Sequence, residues 1–193
     1  MGCPVEFFFR MGEVLSLAKE YMQGNIVRHD FHLILDESEK TLRQWDLDST
    51  PYPTPTPQWK LLAEAYRQAC ILRILRFPDP MAVPCEDPSI QNAVSAILDV
   101  CAEIPKESSF FKRILFPLFL AGADTSSPYQ KDYVRLCIDA IKSSTGFQHL
   151  AMTDLLGKVW AERIERTQGW NNVPWMEYVS ERPTYLLDLG TEC

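Results

Sequence analysis

The sequence is short of the parts most enzymes need. It has 8 glycines in 193 residues, and none fall in the spaced pattern that lets backbone amides close around a phosphate, so no nucleotide loop is expected. There is no G-x-S-x-G elbow and no H-E-x-x-H pair. Of the six cysteines (Cys3, Cys70, Cys85, Cys101, Cys137 and Cys193), none pair as C-x-x-C, and no histidine lies at zinc-finger spacing from them. Positive charge is also scarce. Lys and Arg number 19 against 26 Asp and Glu, a net charge of −7. A chain of that sign lacks the cationic surface that grips a phosphate backbone. The longest apolar run, Ile114 to Gly122, is half the roughly 18 residues a membrane span requires, and Pro117 interrupts it. No basic stretch leads into an apolar one at the start, so no secretory leader is expected. Met1-Gly2-Cys3 opens like an acylation signal, but Glu6 stands where that signal needs Ser or Thr.

What is present is helical periodicity, punctuated by proline. The apolar content of 46% beside 23% charged residues is that of a globular domain. A first helix is predicted from Pro4 to about Gln23, with Phe8, Leu15, Ala18 and Met22 as its apolar stripe. A second runs from His29 to about Asp46 on Leu35, Leu42 and Trp45. Residues 50–57 hold four alternating prolines and read as a stiff connector. Thr56 and Pro57 then start a third helix that reaches about Phe77, with Leu61, Leu62, Ala65, Tyr66, Ala69, Leu72 and Leu75 inward. Its Arg67, Arg73 and Arg76 are expected on a solvated face.

Asp87-Pro88 begins a fourth helix to Glu103, with Ile90, Val94, Ile97, Leu98 and Cys101 buried. A fifth, from Ser108 or Ser109 to Gly122, is apolar on every side and therefore expected at the centre. Pro117 would kink it and free the carbonyl of Arg113. Ser127-Pro128-Tyr129-Gln130 is a capping sequence for a sixth helix to Ser144. A seventh runs from about Gln148 to Arg166, with Leu150, Leu155, Val159, Trp160 and Ile164 inward. Residues 168–193 read as an irregular tail with one short helical turn. The fold class is all-α, a single domain of about seven antiparallel-packed helices around a buried, proline-kinked central one. Cys70, Cys101 and Cys137 are expected as small buried hydrophobes.

Few residues offer chemistry. His29, His32 and Asp36 share a helix face at steps of three and four, but no second pair elsewhere completes a metal ligand set, so no metal and no cofactor are expected. An apolar pocket is expected beside Pro117, with Phe116, Phe119, Leu120 and Trp160 as ligand-contacting residues. If the pocket performs catalysis, Asp124, His149 and Asp154 are the candidate proton handlers.

Several segments together resemble a known family. These are Gly2-Cys3-Pro4 with Phe7 or Phe8 and then Leu17-Ala18; Leu72 to Pro78 followed by Asp87-Pro88, Gln91 and Val94; Phe116-Pro117-Leu118-Phe119-Leu120-Ala121-Gly122; Thr145-Gly146-Phe147 with Ala151, Leu155-Leu156 and Val159-Trp160; and Trp175. In this order they resemble the fungus-specific transcription factor domain, the C-terminal regulatory part of many fungal regulators that carry a binuclear zinc cluster. The resemblance implies an all-α regulatory body that in some members, sterol-sensing regulators among them, binds an apolar effector. The six-cysteine DNA reader of such regulators has no counterpart here, so DNA binding is not carried over. The chain is expected to be either a fragment of a regulator or a stand-alone protein without its DNA reader.

Two functions follow from this. One is a ligand-sensing regulatory module, nuclear, with a small apolar ligand and a protein partner or second copy. The other is a stand-alone, cofactor-free cyclase or isomerase of fungal secondary metabolism, cytoplasmic, using positioning in a buried pocket.

Overall fold

The computed structural model describes residues 4–146, 150–165 and 172–178. Among these residues seven α-helices follow one another: α1 (Val5–Met22), α2 (Arg28–Gln44), α3 (Gln58–Leu75), α4 (Pro88–Glu103), α5 (Leu115–Asp124), α6 (Pro128–Thr145) and α7 (Leu150–Glu165). Short 3-10 turns occupy Phe111–Ile114 and Trp175–Tyr178. Among the described residues there is no strand and no helix long and apolar enough to cross a membrane.

Chain chemistry explains most boundaries. Gly24 and Gly146 have φ of 79° and 68°, the left-handed region that a side chain resists, and they stop α1 and α6. Asp87 caps α4 by accepting from the Ser89 amide at 2.8 Å, with Pro88 in the first position. Two expected caps differ. Ser127 precedes Pro128, yet its side chain caps nothing. Gln130 instead accepts from the Thr125 hydroxyl, which also accepts from the Ser127 amide at 3.2 Å. Thr56 serves α3 through its carbonyl, which accepts from the Trp59 amide at 3.1 Å.

Two cores meet on α3. Ala63, Cys70, Ile71 and Ile74 face α1 and α2, where they join Phe7, Val14, Ala18, Phe31, Leu35 and Leu42. Leu62, Ala65, Ala69 and Leu72 face the opposite way, into a larger core shared with α4 to α7. A helix buried on two sides carries apolar residues on two stripes, and the spacing of apolar residues along α3 predicts only the second. The predicted stripe of α1 is partly displaced: Ala18 is buried as expected, but Phe7 and Val14 are buried beside it, whereas Phe8 is 39% and Met22 44% exposed. On α7, Leu156, Val159 and Trp160 are buried and Ile164 is exposed.

The central apolar run departs most from expectation. It is a 3-10 turn followed by α5, and not one kinked helix. Pro117 falls in the first turn of α5, where its missing amide interrupts no helical ladder. The Arg113 carbonyl that proline leaves unserved accepts from the Tyr66 hydroxyl at 3.1 Å. From Pro117 to Asp124 every residue is buried, while Phe116 is 44% exposed.

At Gly122, α6 and α7 come close to α5. A Cβ there would lie 2.8 Å from Val134 Cγ1 of α6 and 3.5 Å from Leu156 of α7. The Gly122 carbonyl also accepts from Trp160 Nε1 at 2.8 Å. Gly122→Ala is therefore expected to destabilise by about 1–3 kcal/mol through overpacking. Chemical denaturation checks this: an unchanged midpoint would mean that α6 and α7 move aside freely.

Candidate functional site

Helix α5 packs on α3, α4, α6 and α7, and a distinct structure stands at each of its ends. At its start is an aromatic groove of about 500 Å³, lined by Phe8, Leu62, Tyr66, Lys112, Arg113, Leu115, Phe116 and Met152. The volume suits a small molecule. Tyr66 is the groove's organiser. Its ring stacks on Phe116 with centroids 6.3 Å apart and meets Phe8 edge-on at 5.6 Å. Its hydroxyl is fixed on the Arg113 carbonyl. Arg113 in turn lies against the rings of Trp59 and Phe110, at 5.1 and 5.6 Å.

At the other end the C-termini of α3, α5 and α7 converge, and with them the partial negative charges of three helix ends. Arginines answer that charge. Arg76 Nη2 donates to Asp124 Oδ1 at 2.7 Å and to Cys85 Sγ at 3.1 Å, and Nη1 donates to the Val83 carbonyl. Arg163 stands 3.7 Å from the same carboxylate and donates to Asn172 Oδ1 at 3.0 Å and the Val173 carbonyl at 3.2 Å. Burial works against the Arg76 charge, but Asp124 and Cys85 more than offset it, so the guanidinium stays above its ordinary value. Arg73, against the Phe77 and Trp175 rings, is pulled down by burial to about 10. Burial likewise raises the Cys85 thiol, which donates to Asn172 Oδ1 at 3.1 Å.

Residues 172–178 close over this clamp. The Asn172 amide donates to the Met81 carbonyl at 3.1 Å, and its side chain donates to the Pro80 carbonyl at 2.7 Å. Trp175 meets Phe119 edge-on at 5.1 Å.

The anticipated site residues therefore separate. Phe116 lines the groove. Phe119 and Leu120 are buried in the core, 3% and 1% exposed. Trp160 is buried beside Gly122, with Lys131 and Arg135 over its ring. Asp124 is held by two arginines, and Asp154 is exposed on α7. His149 lies outside the described residues.

The arginines correct an expectation. Arg76 is 2% exposed, and Arg67 is half-buried, donating to the Trp45 carbonyl at 3.1 Å and paired with Glu64. They form no solvated face. A detectable signal existed for the clamp: Asp124 ends an otherwise apolar helix, and a carboxylate there needs a cation.

On α2, His29 and Asp36 are exposed, and His32 Nε2 accepts from Arg28 Nε at 3.5 Å. Among the described residues no group of three His, Cys, Asp or Glu side chains is placed to hold a metal ion. Cys70, Cys101 and Cys137 are free and buried, and burial pushes the Cys70 thiol up to about 12.

The family described as fungal specific transcription factor domain matches residues 1–187. Neither a curated protein nor a solved structure matches the chain at a significant level.

Proposed function

The chain belongs to the fungal specific transcription factor domain family, and from that premise we propose that it is the ligand-sensing part of a transcriptional regulator, with an apolar effector seated in the groove at the start of α5. The observation that supports this most is the groove itself: about 500 Å³ floored by Tyr66 and Phe116, on the helix that touches four others. An effector that binds one arrangement of α5 more tightly than another shifts the population of the whole bundle. The domain acts in the nucleus, and contact with DNA runs through a partner chain or another segment, since the chain carries net negative charge. The alternative, a cofactor-free cyclase or isomerase, draws no support from Asp124 or Asp154, neither of which lines the groove.

The test is native mass spectrometry of the chain purified from a fungal host. Wild type is expected to carry a small apolar molecule. Phe116→Ala, which removes a ring from the groove, is expected to retain about tenfold less, the equivalent of roughly 1.4 kcal/mol. Wild type that carries nothing, or equal loading of the two proteins, would contradict the proposal.

A further inference from the structure

We infer that the ligand of this groove is an amphiphilic anion: a carboxylate on an apolar body. The inference rests on the groove being an effector site and adds the charge of its occupant. The chain carries 26 acidic residues against 19 basic ones, yet the described lining of the groove holds two cations, Lys112 and Arg113, and no carboxylate. The contrast with the neighbouring hollow is direct. That hollow, about 710 Å³ between the start of α1 and the proline-rich connector, includes Glu6 and Asp46 in its lining and no cation. An anion is therefore drawn to one concavity and repelled by the other.

The two kinds of groove contact are also arranged for a molecule with two ends. The rings of Tyr66, Phe116 and Phe8 form an apolar floor. Lys112 and Arg113 belong to the 3-10 turn that leads into α5, and both line the groove and are exposed. Lys112 is the headgroup partner to test, because Arg113 is committed to the rings of Trp59 and Phe110. An exposed ion pair contributes modestly, so most affinity comes from the apolar body and the charge selects among molecules of equal size.

Equilibrium dialysis of the full chain against labelled decanoate and labelled decanol separates these contributions. Decanoate is expected to bind about fivefold more tightly than decanol, a difference the size of one exposed ion pair. Lys112→Glu should erase that preference and leave decanol binding unchanged, while Lys112→Arg should keep it. Phe116→Ala should weaken both probes, with thermal melts showing that each variant is folded. Equal binding of acid and alcohol by wild type, still dependent on Phe116, would overturn the anion inference and leave the apolar effector site standing. Binding of both probes that ignores Phe116, or no binding of either, would overturn the inference and the groove together.

Discussion

Asp124→Ala is expected to destabilise the domain by about 3–5 kcal/mol, because it removes one partner from a buried pair and leaves charge behind. The side chains of Arg76 and Asp124 are 3% and 8% exposed, so water cannot replace the lost carboxylate. Arg163, 3.7 Å from that carboxylate, loses its counter-charge in the same step. For a domain of this length the melting temperature should fall by about 10 °C. A double variant separates the charge from the packing. Arg76→Met with Asp124→Leu removes both charges of the pair and keeps much of the volume, so it should recover part of the loss. Differential scanning calorimetry measures both. A fall of under a degree for Asp124→Ala would show that the three helix ends hold together without the clamp.

Phe119→Ala should destabilise by a similar amount, about 3–5 kcal/mol, the usual effect of truncating a core phenylalanine. Phe119 is 3% exposed, and its ring meets the edge of Trp175 at 5.1 Å. The loss therefore reaches beyond α5, since Trp175 belongs to the turn that covers the arginine clamp. Near-ultraviolet circular dichroism should change together with the melting temperature. Unaltered stability would mean that Phe119 faces a ligand-filled space and belongs to the effector site, as the sequence alone had placed it.

Some of this architecture is legible in the residues because local chemistry decides it. Asp87 with Pro88 and the left-handed Gly146 set helix ends without help from the rest of the chain. The face of α4 is equally plain: Ile90, Val94, Ile97, Leu98 and Cys101 recur at helical spacing, and all are buried. Packing between elements is where residue patterns fall silent. Three consecutive phenylalanines lie in the first turns of α1, and only packing against α2, α3 and Trp45 selects Phe7 as the buried one. Apolar residues on two sides of α3 look like one stripe with exceptions until helices are found on both sides.

Pro117 misled for a related reason. Its effect depends on where the helix starts, and a 3-10 turn ahead of Leu115 puts it in the first turn. For the candidate site, the neighbourhood was legible but the membership was not. Phe116 lines the groove, whereas Tyr66 and Phe8 reach it from other helices. The arginine clamp unites residues 48 positions apart, Arg76 and Asp124, and no periodicity along the chain connects them.

A bundle that regulates transcription through the groove at the start of α5 should do so when joined to a foreign DNA reader. Transcription of a reporter, driven in a fungal host by the full chain fused to an unrelated DNA-binding module, tests it most directly. The fusion should shift reporter output away from that of the module alone. Phe116→Ala, at equal protein level, should change the size of that shift. Output equal to that of the bare module, or a shift that Phe116→Ala leaves untouched, would contradict the account.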